Sequence, residues 1–112
     1  MTARNITATE FQELLCQEEL VLVDFWAPWC GYCRRIGPAY DIIAQQQEGK
    51  IAVTKVNIDQ EEALAAQEQI EVIPTLVLYR KGQAIGSIVA PDSKAMIDRF
   101  LTETLSAQKK ED

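Results

Sequence analysis

The chain has 112 residues, 47 % hydrophobic and 25 % charged, enough for one domain with a sizeable core and without the compositional marks of disorder. Its 17 Asp and Glu outnumber its 11 Lys and Arg, for a net charge of −6, which excludes the clustered cationic surface that nucleic acid or an anionic membrane requires. No run approaches the ~20 apolar residues of a membrane span, and Met1 to Asn5 lead into no signal-peptide hydrophobic region, so the expected location is the cytoplasm.

Thr7-Ala8-Thr9-Glu10 has capping-box spacing, with Ile6 and Phe11 at the staple positions, and predicts a helix from residue 8 to about residue 17. Phe11, Leu14 and Leu15 form its apolar stripe, and Cys16 lies beside them as a small apolar filler. Leu20 to Trp26 is a near-continuous apolar run, which reads as a strand covered on both faces. Asp24 interrupts it. Turned inward, that carboxylate is costly and its pKa rises; at a strand end it faces water, and the run by itself leaves both readings open.

From Tyr32 or just before it to about residue 47, Ile36, Tyr40 and Ile43 recur at helical spacing and mark one buried face. Pro38 is expected to kink this helix without ending it, and Gly49 is the C-cap candidate. Ile51 to Ile58 reads as a second buried strand, and Asp59-Gln60-Glu61-Glu62 as the cap and acidic first turn of a helix of about ten residues, completing β-α-β. Pro74 stands at the head of a strand from Thr75 to Tyr79, and Arg80-Lys81-Gly82-Gln83 turns into its antiparallel partner, Ala84 to Ala90. Asp92-Ser93 caps a last helix whose apolar face is Met96, Ile97, Phe100, Leu101 and Leu105. One domain over 1–106 is expected, with the polar residues 107–112 as a frayed tail.

The chemistry concentrates in Trp29-Cys30-Gly31-Tyr32-Cys33. Cysteines three apart can meet across one helical turn and form a disulfide, a reversible two-electron switch. Cys30, at the helix start, also faces unpaired N–H groups and the positive end of the dipole, which favour thiolate. A thiol at the reference pKa of about 8.5 is only ~3 % ionised at pH 7, whereas one lowered to about 7 is half ionised and still a good nucleophile. Three cysteines are odd in number and few for a secreted scaffold, so the pair reads as redox-active, with Cys16 left over. The chain lacks histidine, which removes imidazole bases and Cys–His catalysis, and a zinc site would have only Cys16 to join the pair. Neither a metal nor a cofactor is expected.

Val23-Asp24-Phe25-Trp26-Ala27-Pro28-Trp29-Cys30-Gly31-Tyr32-Cys33, Lys55-Val56-Asn57-Ile58-Asp59, Ile73-Pro74-Thr75 and Lys81-Gly82, in this order and spacing, resemble the thioredoxin family over nearly the whole chain. The resemblance implies the α/β thioredoxin fold, a central mixed sheet of about five strands flanked by about four helices in the order β-α-β-α-β-α-β-β-α. It further implies that Cys30 is the exposed nucleophile, Cys33 the buried resolving thiol, Asp24 the acid/base beneath Cys33 and Lys55 its charge neighbour. A cis Ile73-Pro74 bond, rare among X-Pro bonds at about 5–6 %, also comes only from the resemblance. Trp29, Tyr32, Ile58, Ile73, Pro74 and Val89, with Gly31 and Ala90, then form the rim that grips an extended partner segment.

Two departures from the family pattern stand out. Tyr32 occupies the position of the usual proline, which releases the constraint on the first helical turn. The potential is then expected to rise from the thioredoxin value of about −270 mV towards about −230 to −200 mV. Val72 and Ala90 stand where glycine is common, and their Cβ atoms hinder close backbone approach, unless Val72 simply packs. The implied activity is reduction of disulfides in partner proteins by a monomer recycled by a donor such as thioredoxin reductase. A thiol oxidase or isomerase, favoured by Tyr32, and a non-catalytic binding module using the apolar rim are the competing functions.

Overall fold

In chain order the described residues form β1 (Arg4–Asn5), α1 (Ala8–Gln17), β2 (Leu20–Trp26), α2 (Gly31–Gln46), β3 (Ala52–Asn57), α3 (Glu62–Gln67), β4 (Thr75–Arg80), β5 (Gln83–Val89) and α4 (Lys94–Glu111). The structure is a computed structural model that describes the backbone of residues 3–111 and the side chains of residues 3–108. One five-stranded sheet runs β1-β3-β2-β4-β5. Its β1, β3 and β2 are parallel, and β4 and β5 complete it antiparallel. This is the expected thioredoxin fold, a mixed sheet with four helices.

Strand β2 is central because both of its faces are apolar. Leu22 packs with Ile36, Tyr40 and Ile43 of α2 and with Ile97 and Leu101 of α4. Val21, Val23 and Phe25 pack on the opposite side with Phe11 of α1 and Leu64 of α3. Alternation along the strand places Asp24 on the same face as Leu22, under α2. Local signals fix the ends of the elements. Thr7 and Glu10 close a reciprocal capping box on α1. Lys81 and Gly82, at φ of 50° and 83°, form the tight turn between β4 and β5. Ser93 Oγ accepts from the Met96 N–H at 3.2 Å at the start of α4.

Several expectations need correction. Strand β1 escapes pattern reading because two residues carry no period, although the family resemblance implied it. Helix α3 has six residues instead of about ten, its N-cap is Glu61, and no side chain caps it. Only Leu64 and Ala65 of α3 are buried, and Gln69, at φ of 60°, turns the chain away. Cys16 is exposed; one step beyond Leu15 rotates it about 100° off the buried stripe. Gly49, at φ of 84°, lies in the turn after the C-cap, which is Gln47. Pro38 is accommodated inside α2. Helix α4 continues past Ser106 because Ala107 and Gln108 are strong helix formers; for the rest of the expected tail, the side chains of 109–112 lie outside the described residues.

Tyr40 ties these layers together. Its buried hydroxyl donates to the Thr54 carbonyl at 2.7 Å, with the Leu22 carbonyl at 3.3 Å, so one side chain of α2 reaches both β3 and β2. Tyr40→Phe removes that donor from a buried carbonyl and is expected to cost about 1–2 kcal/mol, read as a lower urea midpoint; an unchanged midpoint would mean the carbonyls are satisfied without it.

Candidate redox site

Where β2 ends, Ala27 to Cys30 carry the chain into α2. The Cys30 N–H donates to the Ala27 carbonyl at 3.1 Å, and Arg34 donates from its guanidinium to the Pro28 carbonyl at 2.7 Å. Cys30 is the N-cap of α2, with its Sγ accepting from the Cys33 N–H at 3.1 Å. Cys30 and Cys33 are joined by a disulfide whose Cα atoms lie 5.2 Å apart, inside the normal range. Cys30 is partly accessible while Cys33 is 4 % exposed. The two sulfurs therefore differ in access: an incoming molecule meets Cys30 first.

Beneath them, Asp24 and Cys33 line one cavity of about 260 Å³, with Trp26, Gly37, Asp41 and Lys55 also in its wall. Asp24 is 2 % exposed, and its Oδ1 is buried without a hydrogen-bond partner. Burial pushes its carboxyl up to about 7, against the opposing pull of the Lys55 ammonium. Lys55 stands opposite Asp24 in the β2–β3 register, and its Nζ lies 4.9 Å from the centre of the Trp26 ring. The Trp26 indole N–H in turn donates to Asn5 Oδ1 at 2.8 Å.

The expected rim residues differ in exposure. Trp29 is 67 % exposed, and its indole N–H donates to the Asp59 carboxylate at 3.0 Å. Val72 and Val89 are 54 % and 52 % exposed, so Val72 does not pack. Gly31 is exposed, while Tyr32, Ile58, Ile73 and Ala90 are half-buried. Pro74 follows a cis bond from Ile73 and is itself buried, with its carbonyl accepting from the Ala90 N–H at 2.8 Å. The Tyr32 hydroxyl donates to the carbonyls of Ala90 and Pro91. Sequence reasoning missed Trp26, Asp41 and Pro91, and it gave Asp59 to a helix cap. An aspartate directly after the second buried strand, at the same sheet end as Trp29, was the available signal for the last.

What this centre can exchange is a pair of electrons with two protons, by opening and closing the bond between its sulfurs. On this fold it defines a thiol–disulfide oxidoreductase with disulfide reductase activity. The thioredoxin family model matches residues 2–103. Thioredoxin 1 of a Nostoc species is 45 % identical over 104 residues, covering 92 % of this chain and 97 % of that one. The thioredoxin of a Synechocystis species is 42 % identical over 102 residues, covering 90 % and 95 %. Among solved structures, mitochondrial thioredoxin 3 of Saccharomyces cerevisiae in its oxidized form superposes with a TM-score of 0.81 at 27 % identity, covering 90 % of this chain and 94 % of that one. A mutant thioredoxin from Halobacterium salinarum superposes with a TM-score of 0.79 at 30 % identity, covering 91 % of each. The chain belongs to the thioredoxin family.

Ionising Asp24 weakens the fold. The unfolded chain releases this proton near pH 4 and the folded chain near pH 7, so the stability Asp24 contributes is present below about pH 4 and is lost as pH rises to about 7. The difference is at most about 4 kcal/mol. Asp24→Asn is expected to gain on the parent by up to that amount between pH 4 and pH 8 in urea unfolding of the oxidised proteins. Parallel pH curves would show that Asp24 ionises as readily folded as unfolded.

Proposed function

We propose that this protein reduces disulfide bonds in partner proteins, with Cys30 as nucleophile and Cys33 as resolving thiol. The observation that carries the reading is the asymmetry of the pair: an accessible sulfur at a helix N-cap bonded to a buried one that shares a cavity with Asp24. In the reduced protein the Cys30 thiolate attacks one sulfur of the partner's disulfide, and the other leaves as thiolate and takes a proton. Asp24, at a pKa near 7 and held in part as carboxylate by the Lys55 charge, then accepts the Cys33 proton and becomes the neutral acid, which releases that proton to solvent. The Cys33 thiolate attacks Cys30 Sγ, the second partner sulfur leaves, and the intramolecular disulfide forms. Two electrons pass to the partner for each cycle. A donor of the thioredoxin reductase type resets the dithiol.

Partner segments dock on Trp29, Gly31, Tyr32, Ile58, Ile73, Pro74, Val89 and Ala90. The high exposure of Trp29 and Val89 supports this face, since large apolar side chains left in water mark interaction surfaces. A cytoplasmic monomer needing neither metal nor cofactor fits the reaction. Among the described residues no helix is long and apolar enough to cross a membrane.

Cys33→Ser is expected to accumulate covalent mixed disulfides with partners in lysate, and Cys30→Ser to lose insulin reduction by a factor of at least about 10³. Retained turnover in the latter would remove Cys30 from its role. Tyr32 is the observation that favours a second reading, in which the pair runs as an oxidant or isomerase. Equilibration with a glutathione buffer is expected to give a potential above about −270 mV, and a value at or below it would exclude that shift.

A further inference from the structure

Tyr32 and Ala90, the active-site and docking-loop departures from the family pattern, touch each other. Tyr32 sits in the first turn of α2, and its hydroxyl lies 3.1 Å from the carbonyl oxygen of Ala90 and 3.2 Å from that of Pro91. One proton is shared between two acceptors, so both carbonyls are tied to the first turn of α2. The Arg35 guanidinium lies 4.9 Å from the ring centre, over its face, which favours this ring position.

Ala90 is held in an unfavourable shape. Its φ is +46°, the left-handed region that side chains with a Cβ rarely adopt. The β4–β5 ladder ends at the Thr75–Val89 pair, so strand pairing does not impose this conformation on residue 90. The contacts that remain are the Ala90 N–H to the Pro74 carbonyl at 2.8 Å and the Tyr32 hydroxyl. The Tyr32 side chain thus joins the first turn of α2 to the 90–91 turn, and the Ala90 backbone N–H joins that turn to Pro74.

We propose that Tyr32 is a positioning residue for macromolecular substrates: its hydroxyl clamps the 90–91 turn and so sets the backbone edge beside Pro74 that a protein disulfide meets. The inference rests on the reductase reading of the Cys30–Cys33 pair and adds to it a residue that selects by substrate size. A small disulfide reaches Cys30 without crossing the 74 and 90–91 segments. An extended chain has to lie across both.

The test compares the KM for insulin with the KM for a small aryl disulfide, dithiobis(nitrobenzoate), in the parent, Tyr32→Phe, Ala90→Gly and the double variant. Tyr32→Phe is expected to raise the insulin KM about five-fold more than the aryl disulfide KM, the effect of one net hydrogen bond. In the Ala90→Gly background that increment is expected to fall below about two-fold, because glycine holds a positive φ without help. Equal factors for the two substrates, or an increment undiminished by Ala90→Gly, would overturn the clamp. A parent that reduces neither disulfide would overturn the reductase reading itself, which the first comparison with the parent reveals before any variant is scored.

Discussion

Leu20–Trp26 has to be covered on both faces, so the chain must cross back over the sheet as soon as β2 ends and reach β3 from above. That crossover is α2, and its first turn necessarily opens at the carboxyl end of the central strand. Cys30 falls on the last residue before the helix, where amide donors are unpaired; Cys33 falls one turn in, over the strand. Asp24, two residues before the strand ends, is carried under them by the pleat. One topological requirement thus sets an accessible sulfur, a buried sulfur and a buried carboxyl in a vertical order.

The electrostatics follow from that order. Cys30 is near the open end of a helix dipole, which prefers negative charge, whereas Asp24 is in the core, which resists it. That field does nothing for Asp24, which is not at a helix terminus and whose Oδ1 has no donor. Lys55 provides a partial counterweight from the neighbouring strand, with its charge also resting against the Trp26 ring. A proton can therefore wait on the carboxyl at neutral pH without the site being locked in one charge state.

Much of this was legible in the residue order because the signals are local. The apolar run of β2, the Ile36-Tyr40-Ile43 stripe, the Thr7 capping box, the Lys81-Gly82 turn and the paired cysteines each speak within a few positions. Asp24 was ambiguous locally, and the family resemblance decided what periodicity could not. The features that escaped have two physical causes. Strand β1 and the short helix α3 contain too few residues to express a period, and tertiary pairing makes them what they are. Tyr32 with Ala90, and Trp29 with Asp59, are contacts between residues 58 and 30 positions apart, which no window along the chain can contain. Cys16 shows the opposite failure: one helical step is enough to carry a small residue from the packed stripe into water.

The outer flank of the sheet carries a further implication. Strand β1 pairs with β3 only at Thr54 and Lys55, and the Ile6 N–H adds one bond to the Lys55 carbonyl. So brief a border gives a second chain little template on which to lay another strand, and short borders of this kind are how sheet proteins avoid adhering to one another. On this flank, unlike the seven-residue border that β5 forms on the opposite side, an added strand would find almost nothing to pair with.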